Sequence, residues 1–275
     1  DTTGVNEPPA GGDFSLLPDL VQYGLPPEDE ARQVARRGIS EGYGRALVIT
    51  SADEYGDRVY SAFDREWTAG GGLVLERVNY NPQTTDFISP VKQLLNIDAS
   101  EDRIGTLRQS LGMSLSISSR LRQDADFIFM VASNLTARQI VPHLKFFRAG
   151  TLPIYTISYV YTGRPNPQVD SDLNGVEFVD MPWILRPEDE KSPLHRQILQ
   201  SWDAASTVFP RYYAFGIDAF RLISRIGDLS LNQTYLYPGE TGRLYMGEGG
   251  VIHRNLSWAR FVDGVPRPIE TGTAP

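Results

Sequence analysis

The sequence predicts an α/β fold with a doubly wound parallel sheet. Short segments of continuous apolar residues recur along the chain, for example RALVIT at 45–50 and FIFMVA at 127–132. Amphipathic helical patterns separate these segments. Strands that are apolar on both sides are typical of a parallel sheet with helices on both faces, and right-handed crossovers give the doubly wound arrangement.

The first elements follow an irregular, proline-rich arm at residues 1–27. A helix is predicted over about residues 28–38, because Pro26 and Pro27 open it and three acidic residues fill its first turn. Negative charge in the first turn interacts favourably with the helix dipole. The next predicted elements are a strand at 45–50, a helix at 55–68 and a strand at 73–79.

The middle of the chain continues the alternation of helices and strands. Helices are predicted at 87–95, 101–111 and 136–148, and strands at 127–132, 153–158 and 175–180. In the helix at 136–148, Ile140, Leu144 and Phe147 recur at helical spacing and form the predicted inward stripe.

The pattern changes after Met181. Helices are predicted at 193–206 and 211–227, the second with Tyr212, Phe215, Ala219 and Leu222 on one side. Turn residues separate short β-like stretches at 243–246 and 257–262, which predict a small antiparallel hairpin. The expected organisation is an arm or crossover at 1–27, a Rossmann-like unit at 28–182, and helices with a hairpin at 183–275.

Composition excludes several classes of protein. The 275 residues carry a net charge of -8, which argues against non-specific nucleic-acid binding because that binding requires basic side chains. Cysteine is absent, so the chain has no disulfide, thiol nucleophile or cysteine-bound zinc. Hydrophobic residues make up 41% of the chain, a value typical of globular proteins.

The sequence has no motif for catalysis, metal binding or phosphate binding. His143, His195 and His253 are isolated, with no second ligand at helical spacing. The patterns G-x-S-x-G, G-x-x-x-x-G-K-[ST] and G-x-G-x-x-G do not occur. We therefore expect a protein that is not an enzyme and needs no metal or cofactor.

Polar side chains follow three of the predicted strands. Open α/β sheets bind ligands outside the carboxyl ends of their strands, so these side chains are candidates for a cleft. The candidates are Ser51, Asp53, Tyr55, Ser133, Asn134, Ser158 and Tyr159. Ser, Asp and Asn are also preferred residues at helix N-caps. These side chains therefore either cap helices or line a cleft.

Several long stretches of the chain resemble a known family. ALVITSADEYGDRVYSAFDREW resembles the second lobe of type I periplasmic binding proteins, where a strand leads into a D-x-Y-G helix entry. YGLPPEDEARQVAR, LKFFRAGTLPIYTISYVYTG, DLNGVEFVDMPW and ETGRLYMGEGGVIHRNLSWARF are similar to the LppC lipoprotein family. The resemblance covers about residues 21–268.

This resemblance implies a fold, a location and a role. Members of the family are outer-membrane lipoproteins of Gram-negative bacteria that face the periplasm. Their C-terminal domain has the type I periplasmic-binding-protein fold, which would appear here as a complete second lobe and a partial first lobe. The lipid anchor would then lie upstream of this chain.

The expected function is non-catalytic regulation of peptidoglycan synthesis through contact with a class A penicillin-binding protein, as the resemblance implies. Candidate interface residues are Arg120, Arg122, Tyr161 and Arg164, because arginine and tyrosine are enriched at binding hot spots. The alternative is a periplasmic protein that binds an amino acid, a peptide or a cell-wall fragment. In that case Asp53 would pair with a ligand amino group, and N–H groups at a helix start would receive a carboxylate.

Overall fold

The computed structural model describes residues 20–97, 124–147, 149–202, 209–232 and 234–269. The strands are β1 (Gln22–Tyr23), β2 (Arg45–Ser51), β3 (Leu73–Tyr80), β4 (Phe127–Met130), β5 (Ile154–Thr156), β6 (Glu177–Asp180), β7 (Tyr237–Pro238), β8 (Arg243–Met246), β9 (Val251–Asn255), β10 (Ser257–Val262) and β11 (Val265–Ile269). The helices are α1 (Pro27–Ser40), α2 (Glu54–Ala69), α3 (Ile88–Leu94), α4 (Asn134–Phe146), α5 (Pro167–Asp170), α6 (Pro182–Leu185), α7 (Pro193–Ser201), α8 (Pro210–Leu222) and α9 (Ile226–Leu231). The predicted helix at 101–111 lies outside the described residues.

A seven-stranded sheet forms the larger part of the fold. Its order is β11-β10-β6-β5-β4-β2-β3, and the five strands from β6 to β3 are parallel. The predicted doubly wound parallel sheet is therefore confirmed.

Both faces of this sheet are buried, because successive side chains of each strand point to opposite sides. Leu47 and Ile128 belong to the core beneath α3 and α4. Val48 and Phe129 belong to the other core, where Phe63 of α2 stacks on Phe129 with ring centroids 4.4 Å apart. The continuous apolar composition of the strands follows from this two-sided burial.

The antiparallel end of the sheet corrects the predicted organisation. Strand β10 pairs with β6, and β11 pairs with β10, so residues 257–269 extend the main sheet instead of forming part of a separate unit at 183–275. The predicted hairpin partner is also wrong, since Arg243–Met246 pairs with Val251–Asn255. Gly249 and Gly250 allow the tight connection between β8 and β9, with φ of 67° and 75°.

A four-stranded sheet of order β1-β9-β8-β7 forms the smaller part of the fold. Its first strand, Gln22–Tyr23, falls within the segment predicted to be an irregular arm. Its core contains Leu244 and Ile252 of the sheet, Leu222 of α8 and Leu229 of α9. The helix predicted at 211–227 is two helices here, α8 and α9.

The buried face of α8 differs from the predicted stripe. Ala214, Asp218 and Leu222 are buried, whereas Tyr212 is 65% exposed. Asp218 faces inward because its carboxylate accepts hydrogen bonds from the backbone N–H groups of Glu240 and Thr241 at 2.9 and 2.7 Å. The spacing of apolar residues in the sequence could not reveal that a carboxylate with these partners is buried.

Buried ion pairs connect the two sheets. Arg211 of α8 donates from Nε to Asp180 Oδ1 of β6 at 3.0 Å. Glu30 of α1 accepts the backbone N–H of Ser158 at 2.8 Å and lies 3.6 Å from Arg254 of β9. These charges are paired across elements of both sheets, as buried charges must be.

A stacked ring pair fixes α7 against α6. His195 is 2% exposed and lies face to face with Trp183 at a ring-centroid distance of 3.4 Å. Burial lowers the pKa of His195 to about 4, and the positive charges of Lys191 and Arg186 act in the same direction. The imidazole is therefore neutral in the folded protein at pH 7.

The stability of the core can be tested at Phe129. We expect Phe129→Ala to lower the free energy of unfolding by about 3–5 kcal/mol, because the change leaves a cavity between β4 and α2. Urea unfolding measures the change. Phe146→Ala is the control, since this side chain is 79% exposed, and it should change stability by less than about 0.5 kcal/mol. Equal effects for the two variants would contradict the assignment of β4 to the core.

The neutral state of His195 predicts a loss of stability in acid. The unfolded chain binds a proton at this residue below about pH 6.5, whereas the folded chain does so only near pH 4. Acid therefore favours the unfolded state, by about 2–3 kcal/mol between pH 7 and pH 4 for this group. His195→Phe keeps a ring on Trp183 and should show a correspondingly weaker pH dependence in urea unfolding. Identical pH profiles would contradict a neutral, buried imidazole.

Candidate functional site

The order of the parallel strands creates a crevice between β2 and β4. The helix that follows β2 packs on one face of the sheet, and the helix that follows β4 packs on the other. The chain therefore leaves the two neighbouring strands in opposite directions. In open α/β sheets, ligands bind at such a switch point, outside the carboxyl ends of the strands.

A cavity of about 210 Å³ lies at this switch point. Its lining residues are Ser51, Asp53, Tyr55, Tyr80, Pro82, Ser133, Thr136 and Tyr159. Five of these were candidates from sequence: Ser51, Asp53, Tyr55, Ser133 and Tyr159. Sequence reasoning missed Tyr80, although it ends β3 and the same strand-end rule applies to it.

Asp53 both caps a helix and lines the cavity. Its Oδ1 accepts hydrogen bonds from the Ser51 hydroxyl at 2.7 Å and from the backbone N–H of Gly56 at 2.8 Å. Among the described residues, its Oδ2 has no hydrogen-bond partner. Gly56 is required at its position because a Cβ there would lie 2.2 Å from the Ser51 carbonyl oxygen. The two sequence interpretations, capping and lining, are therefore compatible for Asp53.

Ser133 has the same two roles at the start of α4: it caps the helix and lines the cavity. Its side chain is the N-cap, accepting the backbone N–H of Thr136 at 3.3 Å, and its hydroxyl donates to the Thr136 hydroxyl at 3.0 Å. Both hydroxyls line the cavity. They bring donor and acceptor groups to the wall opposite Asp53 without adding charge.

Asn134 and Ser158 do not line the cavity. The Asn134 side chain donates to the Val160 carbonyl oxygen and to Asp170, each at 3.0 Å. Ser158 begins a short 3-10 turn, where its backbone N–H donates to Glu30 and its carbonyl oxygen accepts from Arg211. Both residues hold the loop after β5 in place, a structural use that corrects their assignment to the cleft.

Three tyrosines are among the residues that line the cavity. The rings of Tyr55 and Tyr159 are 5.4 Å apart and tilted by 57°. Tyr80 is almost fully buried, and its hydroxyl donates to the Val131 carbonyl oxygen at 3.0 Å. Burial raises the pKa of Tyr55 and of Tyr80 well above the usual range, so both phenols are neutral.

Two of the candidate interface residues from sequence lie within the described residues, and they differ in exposure. Tyr161 is only 4% exposed because its ring packs against Phe178 and Phe261, so its assignment to an interface is wrong. Arg164 lies on the surface. Arg120 and Arg122 lie outside the described residues.

A different surface has the composition of a protein contact. Large apolar side chains of α7, α8 and their connection line an open groove of about 950 Å³. They include Leu194, Trp202, Phe209, Tyr212 and Phe220, each more than one-third exposed. Clustered exposed apolar side chains make this groove a candidate interaction surface. The sequence could have shown this face, because Tyr212, Gly216 and Phe220 recur at helical spacing.

The histidines do not form a metal site. His253 pairs with Asp29 at 2.9 Å, and His195 stacks on Trp183. Over the described ranges, no group of three metal-ligating side chains is present. In the same part of the chain, no helix is long and apolar enough to cross a membrane.

Comparison with sequence relatives identifies the same family along most of the chain. The model of the family described as LppC putative lipoprotein matches residues 9–264. The penicillin-binding protein activator LpoA from Photobacterium profundum is 28% identical over 255 residues, which is 90% of this chain and 40% of that protein. The chain thus spans about two fifths of that relative.

Comparison with solved structures gives the same fold. The LpoA C-domain from Haemophilus influenzae, titled a regulator of PBP1A, matches with a TM-score of 0.68 and 24% identity, over 92% of this chain and 70% of that one. An ABC transporter substrate-binding protein from Desulfitobacterium hafniense matches with a TM-score of 0.53 and 17% identity, over 88% and 65%. The fold is that of the type I periplasmic binding proteins. Because the family model covers most of its length, the chain belongs to the LppC family.

Proposed function

We propose that this chain regulates a class A penicillin-binding protein by direct contact. The observation that carries the proposal is the family match over residues 9–264, together with relatives that are named activators of a penicillin-binding protein. The structural similarity to a C-domain titled a regulator of PBP1A supports the same role. The chain acts in the periplasm, as part of a lipoprotein anchored at the inner face of the outer membrane.

The chemistry of the cavity supports contact over catalysis. The described lining residues include no histidine, lysine or arginine. Their one carboxylate, Asp53, is the N-cap of α2. The Ser51 hydroxyl donates to Asp53, and the Ser133 hydroxyl donates to Thr136. Neither serine is paired with an imidazole, the usual means of activating a serine nucleophile.

Regulation by contact has a definite energetic requirement. A regulator changes the activity of a synthase only if it binds the active state more tightly than the inactive state. The effect must therefore saturate as the binding site on the synthase fills. The exposed apolar groove on α7 and α8 supports the proposal, since clustered apolar side chains are common at protein contacts.

This proposal predicts saturable activation. Adding the chain to a class A synthase from the same organism should raise the rate of glycan polymerisation to a plateau. Biolayer interferometry with the immobilised synthase should give a Kd that matches the midpoint of activation. The longer protein that contains this chain is measured in parallel, because the relatives are longer.

The matched control is a solute-binding protein of the same fold, which should neither bind nor activate. Absence of both binding and activation, for the chain and for the longer protein, would contradict the proposal. Activation that rises in proportion to concentration without a plateau would contradict regulation by contact.

A second candidate function is the binding of a small solute at the switch-point cavity. The observation that favours it is the convergence of Asp53, three tyrosine rings and three hydroxyl side chains on one cavity. Polar groups that converge in a concave, partly aromatic site are typical of ligand binding. This function is compatible with the first, since a solute could bias the conformation that contacts the synthase.

A further inference from the structure

We propose that the cavity between β2 and β4 binds an organic ammonium group, held against the rings of Tyr55 and Tyr159 and beside the carboxylate of Asp53. The inference rests on the second candidate function and names the chemical class of its ligand. Three features of the cavity support it: the rings, the charge of the lining and the size.

The rings provide a surface that favours a cation. The face of an aromatic ring is electronegative, and ammonium groups bind to several such faces at once in aromatic cages. Tyr55 and Tyr159 are tilted at 57° to each other, so they form two walls of the cavity instead of one flat stack. Tyr80 is 2% exposed and donates to the Val131 carbonyl oxygen, so it supports the cavity without offering a ring face to a ligand.

The charge of the lining has one sign. Among the described lining residues, one side chain is charged, the carboxylate of Asp53, and none is basic. Its Oδ1 accepts two hydrogen bonds within α2 and its N-terminal turn. A cationic ligand in this cavity therefore has the Asp53 carboxylate as its charged partner.

An anionic group is less favoured at the cavity than a cation. Anions bind at helix starts through free N–H groups. At each helix start the N-cap occupies one such group, the N–H of Gly56 in α2 and that of Thr136 in α4. A carboxylate would also lie close to Asp53, which repels it. The carboxylate position considered in the sequence analysis is therefore disfavoured, and the ammonium position remains.

The volume limits the size of the ligand. A cavity of about 210 Å³ is smaller than sites for drug-sized ligands, which measure roughly 300–1,000 Å³. A cation the size of a single headgroup fits within it. A peptide or a cell-wall fragment would extend beyond the walls that the described residues provide.

The test compares choline with 3,3-dimethylbutan-1-ol, which has the same shape but a carbon in place of the charged nitrogen. Isothermal titration calorimetry on the whole chain measures both, with acetate as the anionic probe. We expect choline to bind at least about tenfold more tightly than the alcohol, because only choline interacts with the ring faces and Asp53 as a cation. Acetate should show no binding.

Variants identify the site of binding. Asp53→Asn keeps a preferred N-cap residue, and it should weaken choline binding about three- to fivefold with no effect on the alcohol. The matched control is Asp64→Asn on the same helix, outside the cavity, which should have no effect. Tyr159→Leu should weaken choline binding about two- to fivefold, whereas Tyr159→Phe keeps the ring and should bind like the original chain.

The outcomes separate the ammonium assignment from the broader proposal that the cavity binds a solute. Equal affinity for choline and the alcohol, or binding of acetate, would overturn the ammonium assignment and leave solute binding standing. Binding of choline that Asp53→Asn and Tyr159→Leu do not change would place the site elsewhere and overturn the assignment. No binding of any probe at about 10 mM, in the weak range for such small ligands, would overturn both the assignment and the solute-binding function.

Discussion

The structure depends on the burial of both faces of one parallel sheet. Alternate residues of β2 and β4 contribute to two separate cores, so a helix must cover each side. That requirement sends the chain in opposite directions after two neighbouring strands. The crevice at their carboxyl ends is a geometric consequence of this packing, and the cavity with Asp53 and the tyrosine rings lies there.

A second constraint comes from the buried charges between the two sheets. Asp180 is fully buried at the end of β6, and such a group is costly unless it is paired. Arg211 supplies the pair and also donates to the Tyr161 carbonyl oxygen at 2.9 Å. The loop after β5, which carries Tyr159 to the cavity, is therefore held by the same interactions that join the smaller sheet to the larger one.

The sequence predicted what depends on local pattern. Continuous apolar segments indicated the parallel strands, and the strand-end rule brought Ser51, Ser133 and Tyr159 to one cavity. The same rule could not show that Asn134 differs from these three residues. The hydrogen-bond partner of Asn134, Asp170, lies 36 residues further along the chain. The pairing of β10 with β6 in the main sheet was equally inaccessible, since the apolar pattern of a strand does not identify its neighbour.

The central claim is that the packing of this sheet places a cation-binding cavity at the β2–β4 switch point. The most direct measurement is a crystal structure of the chain with choline at saturating concentration. The account predicts ligand density against Tyr55 and Tyr159, with the trimethylammonium group over the rings and facing Asp53. Density for choline at another place on the chain, with this cavity filled by water alone, would contradict it.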